Sequence, residues 1–150
     1  MAIKTIMVKG DGVRFEANVT AGQTITPGHL VKLQSDGTVR SHNAAGQAAE
    51  RAFAVEDDLQ GKTITDAYAA GTPCQYNVCQ PGDVVYAPIL NGENISKGDF
   101  LESGGNGELQ KYSADSAGVV EYPSSIVAVA LEALDLSGSV NAGRIQARVV

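Results

Sequence analysis

The sequence predicts a compact all-β domain of short strands, and three observations predict it. The chain holds 17 Gly with 5 Tyr, 3 Phe and no Trp in 150 residues, a composition that suits many tight turns between short strands. Several segments alternate apolar and polar side chains at period two, as half-buried strands do. A strand-turn-strand pattern also recurs at an offset of 70 residues without a gap: Gly22, Ile25, Gly28, Leu30, Val31, Asp36, Gly37 and Val39 return as Gly92, Ile95, Gly98, Phe100, Leu101, Asn106, Gly107 and Leu109. What recurs is hydrophobes to bury and glycines to turn the chain, so the repeat reads as architecture and not as a catalytic device.

Taken in order, residues 2–9 set apolar groups on both faces of a strand, with Ile3 and Met7 on one face and Ile6 and Val8 on the other. Lys4 and Lys9 interrupt the run. A strand of that kind wants cover on two sides, so residues 1–12 are expected to form a loosely held N-terminal arm. Its candidate partner-binding residues are Ile3, Lys4, Ile6, Met7 and Val8. After Gly10-Asp11-Gly12, Val13, Phe15, Ala17 and Val19 alternate with Arg14, Glu16, Asn18 and Thr20, which predicts a half-buried strand.

Pro27-Gly28 suits a type II turn, residues 30–33 the next strand, and Asp36-Gly37 the turn after it. Residues 43–51 are rich in Ala, but Gly46 and the missing apolar periodicity favour a loop. Residues 52–55 and 127–131 read as core strands, the second apolar on both faces and offset from the first by 76, as an insertion of about six residues requires. Residues 63–71 read as one short helical turn, 72–78 as a strand, Pro81-Gly82 as a turn into a further strand, and 104–107 as a hairpin loop. Residues 144–149 alternate to form a final paired strand. No linker or low-complexity tract divides the chain. Residues 13–150 therefore form one β domain with two related units, about 22–56 and 92–132, and Gly28, Gly37, Gly82, Gly98 and Gly107 are its structural turns.

Eleven Lys and Arg stand against 17 Asp and Glu, a net charge of −6, and no basic run could track a phosphate backbone. Nucleic acid is not expected as a partner. Neither a signal-peptide pattern nor an 18-residue apolar run is present, so the reading is a soluble protein made in the cytoplasm with no membrane partner. Cys74 and Cys79 are five apart, an odd spacing that sets them on opposite faces of a strand, and both read as reduced, structural thiols.

Candidate chemistry is sparse. Glu56, Asp57 and Asp58 cluster, but without the spacing of a calcium loop they read as a solvated turn. Asp83 and Asp99 each follow a turn glycine, where a carboxylate accepts backbone N–H groups; His29 holds the same place in the first unit, which points to a turn accessory and not to an acid or base. His29 and His42 stand in no nucleophile elbow, catalytic-cysteine or zinc-binding pattern. No enzyme, cofactor or metal is expected.

The order and spacing of residues 68–71, 81–85, 95–101, 107–109, 128–133 and 144–149 resemble the capsid decoration, or cement, proteins of tailed bacteriophages, from about residue 20 onward. That resemblance implies a β-tulip-like barrel and homotrimers on the outer surface of the virion head. It also implies an N-terminal arm on the major capsid protein. It supplies no catalytic residues. The alternative is a carbohydrate-binding β module, which would use exposed aromatics; the tyrosines at 68, 76, 86, 112 and 122 are scattered.

Overall fold

A computed structural model of the chain describes residues 2–113, 123–138 and 142–150. The inserted segment read between the two core strands lies largely at 114–122, outside the described residues, as does Tyr122. The strands are β1 (Met7–Lys9), β2 (Val13–Asn18), β3 (Val31–Leu33), β4 (Val39–Ser41), β5 (Ala52–Ala54), β6 (Pro73–Val78), β7 (Val84–Ile89), β8 (Asn94–Ile95), β9 (Phe100–Ser103), β10 (Leu109–Lys111), β11 (Ala128–Ala130), β12 (Leu134–Asp135) and β13 (Gly143–Val149). All-β architecture and a barrel are both present. β7, β10, β9, β11 and β13 pair in that order, and β13 pairs back onto β7, closing a five-stranded ring with β1 added outside it. In so small a ring the inward side chains themselves fill the interior.

The strand registers carry the repeat well past the turns. In the first hairpin Val31, Lys32 and Leu33 face Ser41, Arg40 and Val39; in the second, Leu101, Glu102 and Ser103 face Lys111, Gln110 and Leu109, each pair displaced by 70. The parallel contact that closes the barrel, Ile89 with Leu109, has its counterpart in the bridge of Val19 with Val39. Leu30 meets Phe53 as Phe100 meets Val129. β6 pairs with β5 and β2 as β13 pairs with β11 and β7. Two copies of one five-stranded ring thus span about 13–78 and 83–149, wider than the 22–56 and 92–132 read from the sequence. The pairing of the outer strands is set by register, and little residue identity survives there to reveal it.

Each ring encloses its own apolar cluster. Val19, Ile25, Val31, Val39, Ala52 and Ala54 line the first, and their counterparts Ile89, Ile95, Leu101, Leu109, Ala128 and Ala130 the second. The second cluster also takes in Leu30, Phe53 and Val55 from the first ring, so the two rings share a packed seam. Main-chain bonds reinforce it, with Leu30 N–H donating to Gly107 O at 2.8 Å and Gly107 N–H to His42 O at 3.0 Å.

Four local expectations change. The helical turn falls at Asp58–Gln60 and not at 63–71, where Asp66 accepts Thr63 N–H and Tyr68 bridges to Ile25. Ile6 is fully buried in the second cluster and Met7–Lys9 pair with β7, so residues 6–9 are held against the second ring, and of residues 2–9 only Met7–Lys9 form a strand. The face of β2 expected to be buried is open at one end, with Val13 and Phe15 50% and 48% exposed. Of the second core strand, Ala128 and Ala130 are buried while Val129 is half-buried.

Candidate partner-binding surface

Of the five arm residues, the structure draws in three. Ile6 is held by its main chain from two sides: its carbonyl accepts Tyr86 N–H at 2.8 Å, and its N–H donates to Glu56 Oε2 at 3.1 Å. Glu56 Oε1 also accepts the Thr5 hydroxyl at 2.6 Å. A carboxylate read as part of a solvated turn therefore clamps the chain where it enters the sheet. Met7 and Val8 are half-buried, with the Cys79 thiol 3.9 Å from the Met7 sulfur. Ile3 is half-buried and Lys4 exposed.

A second candidate surface is the exposed apolar end of β2, Val13 and Phe15. Phe15 stacks on Tyr76 of β6, ring centres 5.9 Å apart and planes 22° from parallel, and turns its remaining area to solvent beside Val13. Arg14 Nε donates to Asn77 Oδ1 at 2.8 Å on the other face, and Gln75 donates to Glu16. A hollow of about 610 Å³ adjoins this strand, lined by Glu16, Gln75, Asp57, Lys62 and Leu59 among others. Leu59 is 93% exposed at its rim. An exposed strand edge with apolar neighbours is a surface made for pairing with another chain.

A second hollow, about 520 Å³, opens where the two rings meet and is lined by His29, Tyr86, Pro88, Glu108 and Arg144 among others. The Arg144 guanidinium donates to three main-chain carbonyls, those of Pro27 at 2.7 Å, Ile64 at 3.1 Å and Tyr86 at 3.4 Å. Burial lowers its pKa. His29, held by Ser41 Oγ at 2.8 Å, is pushed down to about 4 by burial and then by the Arg144 charge. His42 bonds Ser103 Oγ at 2.6 Å and Ala48 O at 3.2 Å. Both members of that pair are buried, which fits a tie between hairpins.

The turn glycines Gly28, Gly37, Gly82, Gly98 and Gly107 all have positive φ. Gly28 and Gly107 are buried at the seam, the other three exposed. Asp83 and Asp99 accept the N–H three residues before them, Gln80 at 3.0 Å and Ser96 at 2.8 Å. Cys74 and Cys79 are free and lie in different core clusters, and burial raises both thiols to about 12, far from a reactive thiolate. Among the described residues no group of three His, Cys, Asp or Glu could hold a metal ion, and no helix is long and apolar enough to cross a membrane.

No protein-family model and no curated protein sequence matches the chain. Among solved structures, its fold is similar to that of the N base of head fiber gp8.5 in bacteriophage phi29, with a TM-score of 0.57 at 15% identity, over 92% of this chain and 93% of that one.

Proposed function

We propose that this chain is a structural protein of a tailed-phage virion, seated on the outer surface of the head as a homotrimer, where it binds the major capsid protein and stabilises the assembled lattice without catalysing a reaction. The observation that carries this reading is the likeness, along nearly the whole of both chains, to the base of a phage head fiber. The motif order that resembles capsid decoration proteins supports it independently of the fold.

A protein that binds the lattice and not its separate subunits stabilises the lattice by linkage, about 4 kcal/mol per site at a thousandfold excess over Kd. The test is addition of purified protein to emptied, undecorated phage heads, followed by heating. Saturable binding with survival of decorated heads under conditions that burst bare ones is the expected result. Absence of binding would reject the reading, and binding without added survival would leave attachment and remove the cement role.

A further inference from the structure

We propose that β2 is an acceptor for an added strand: an extended segment of a partner protein pairs antiparallel along Arg14–Asn18, in the place that β1 fills on β7. The proposal deepens the head-attachment reading by naming a contact, and its first test needs no heads.

The duplication supplies the template. On β6, Gln75 O accepts Val55 N–H of the neighbouring strand, so in this register the main chains of Gln75 and Asn77 face β5 while those of Cys74, Tyr76 and Val78 face β2. Val19 N–H donates to Thr72 O in the same β2 register. Val13, Phe15 and Ala17 therefore bond β6, and the N–H and C=O groups of Arg14, Glu16 and Asn18 point the other way. Their counterparts at offset 70 are Val84, Tyr86 and Pro88. On β7 that edge is occupied: Val84 pairs with Lys9 and Tyr86 N–H donates to Ile6 O. The equivalent N–H, that of Glu16, meets no acceptor among the described residues.

Side-chain burial agrees with the main chain. Val85 of β7 is fully buried, as is Ile6 beside it, whereas Phe15, the counterpart of Val85, is 48% exposed. An inward position of the ring is half open because the strand that would flank it is missing.

The occupant's chemistry follows from β1 and from what it would face. It is an extended segment without proline at its bonding positions, with one aliphatic side chain in the place of Ile6 and polar residues alternating outward. An acidic group suits the side of Arg14 and a basic group the side of Glu16, since cross-strand opposite charges stabilise. Strand addition of this kind draws affinity from main-chain bonds and specificity from alternate side chains.

The probe is a synthetic peptide of this chain's residues 2–9, added to the intact protein, with amide exchange read by NMR. At saturation the Glu16 amide should exchange at least tenfold more slowly and the Phe15 ring resonances should shift, while a scrambled peptide does neither. Glu16→Pro removes the donor without touching the β2–β6 ladder, so it should abolish binding and leave the melting temperature nearly unchanged. If that variant does not fold, a peptide N-methylated at alternate residues replaces it and must fail to bind the intact protein.

Unchanged Glu16 exchange at millimolar peptide overturns the proposal. So does slow exchange at Glu16 without peptide in a protein that sediments as an oligomer, since a second copy would then hold the edge. Loss of protection at Tyr86 would overturn it too, because the peptide would then have displaced β1 on β7. Peptide binding without head binding would reject the head-attachment reading alone, and head binding without peptide binding would reject this inference alone.

Discussion

Gly28 and Gly98 hold the same place in the two rings and the same left-handed backbone, at φ of +94° and +93°. Their surroundings differ. A Cβ on Gly28 would stand 2.4 Å from Arg144 Nη1 and 3.0 Å from Tyr86 O, whereas a Cβ on Gly98 meets nothing within 4 Å. Gly98→Ala should therefore cost about 1 to 2 kcal/mol, the left-handed penalty alone. Gly28→Ala must in addition displace a guanidinium that three carbonyls hold, and should cost about 3 kcal/mol or more. Denaturant melts giving equal losses would contradict this. His29 makes a second prediction at this scale. Its pKa falls from an ordinary 6.5 to about 4 on folding, so the stability tied to its neutral form is complete above pH 6.5 and is lost as pH falls towards 4. One such proton gives a slope of up to about 1.4 kcal/mol per pH unit. His42 is shifted the same way by burial. Stability measured at pH 7, 5.5 and 4.5 should fall accordingly, and His29→Gln should remove about one proton's share of that slope.

Among the elements, β1 shows how a strand's meaning depends on its neighbour. The sequence marks residues 2–9 as apolar on both faces of a strand, of which Met7–Lys9 forms, and the expectation of a loose arm follows only if no edge within the chain is free. β7 has one. β10 reaches that edge only at Ile89, which leaves Val84 and Val85 for β1. Ile6→Ala should accordingly cost about 2 to 4 kcal/mol as a core truncation. Removing residues 2–8 should lower the melting temperature markedly, while removing residues 2–4 should leave it nearly unchanged. A seven-residue deletion with unaltered stability would restore the loose arm.

Across the whole molecule, the seam decides cooperativity. Leu30, Phe53 and Val55 of the first ring are packed in the second ring's cluster, and Gly107 bonds to both Leu30 and His42 across the join. The two rings should therefore unfold together, in one calorimetric transition whose measured enthalpy equals the van't Hoff value. Two resolved transitions would mean that the rings are independent domains. The two rings differ at one edge: β1 covers that of the second ring, and the corresponding edge of the first ring faces outward.

The all-β class, the repeat at 70 residues and the turns are legible in the residues alone. Each of these is local: alternation fixes a strand, and Pro-Gly or Asp-Gly fixes a turn within a few residues. The free, structural state of Cys74 and Cys79 and the turn-accepting roles of Asp83 and Asp99 were also legible, since a five-residue spacing along one extended segment and a three-residue reach are both local. That the repeat extends from β2 to β13 emerges only in the folded chain, because β2 and β7 correspond through hydrogen-bond register while their side chains differ. Folding alone turned Glu56 from a solvated carboxylate into a clamp on Ile6, fifty residues away in sequence. It also left Phe15 half exposed: alternation says which residues share a face of a strand, but only the presence or absence of a flanking strand says whether that face is covered.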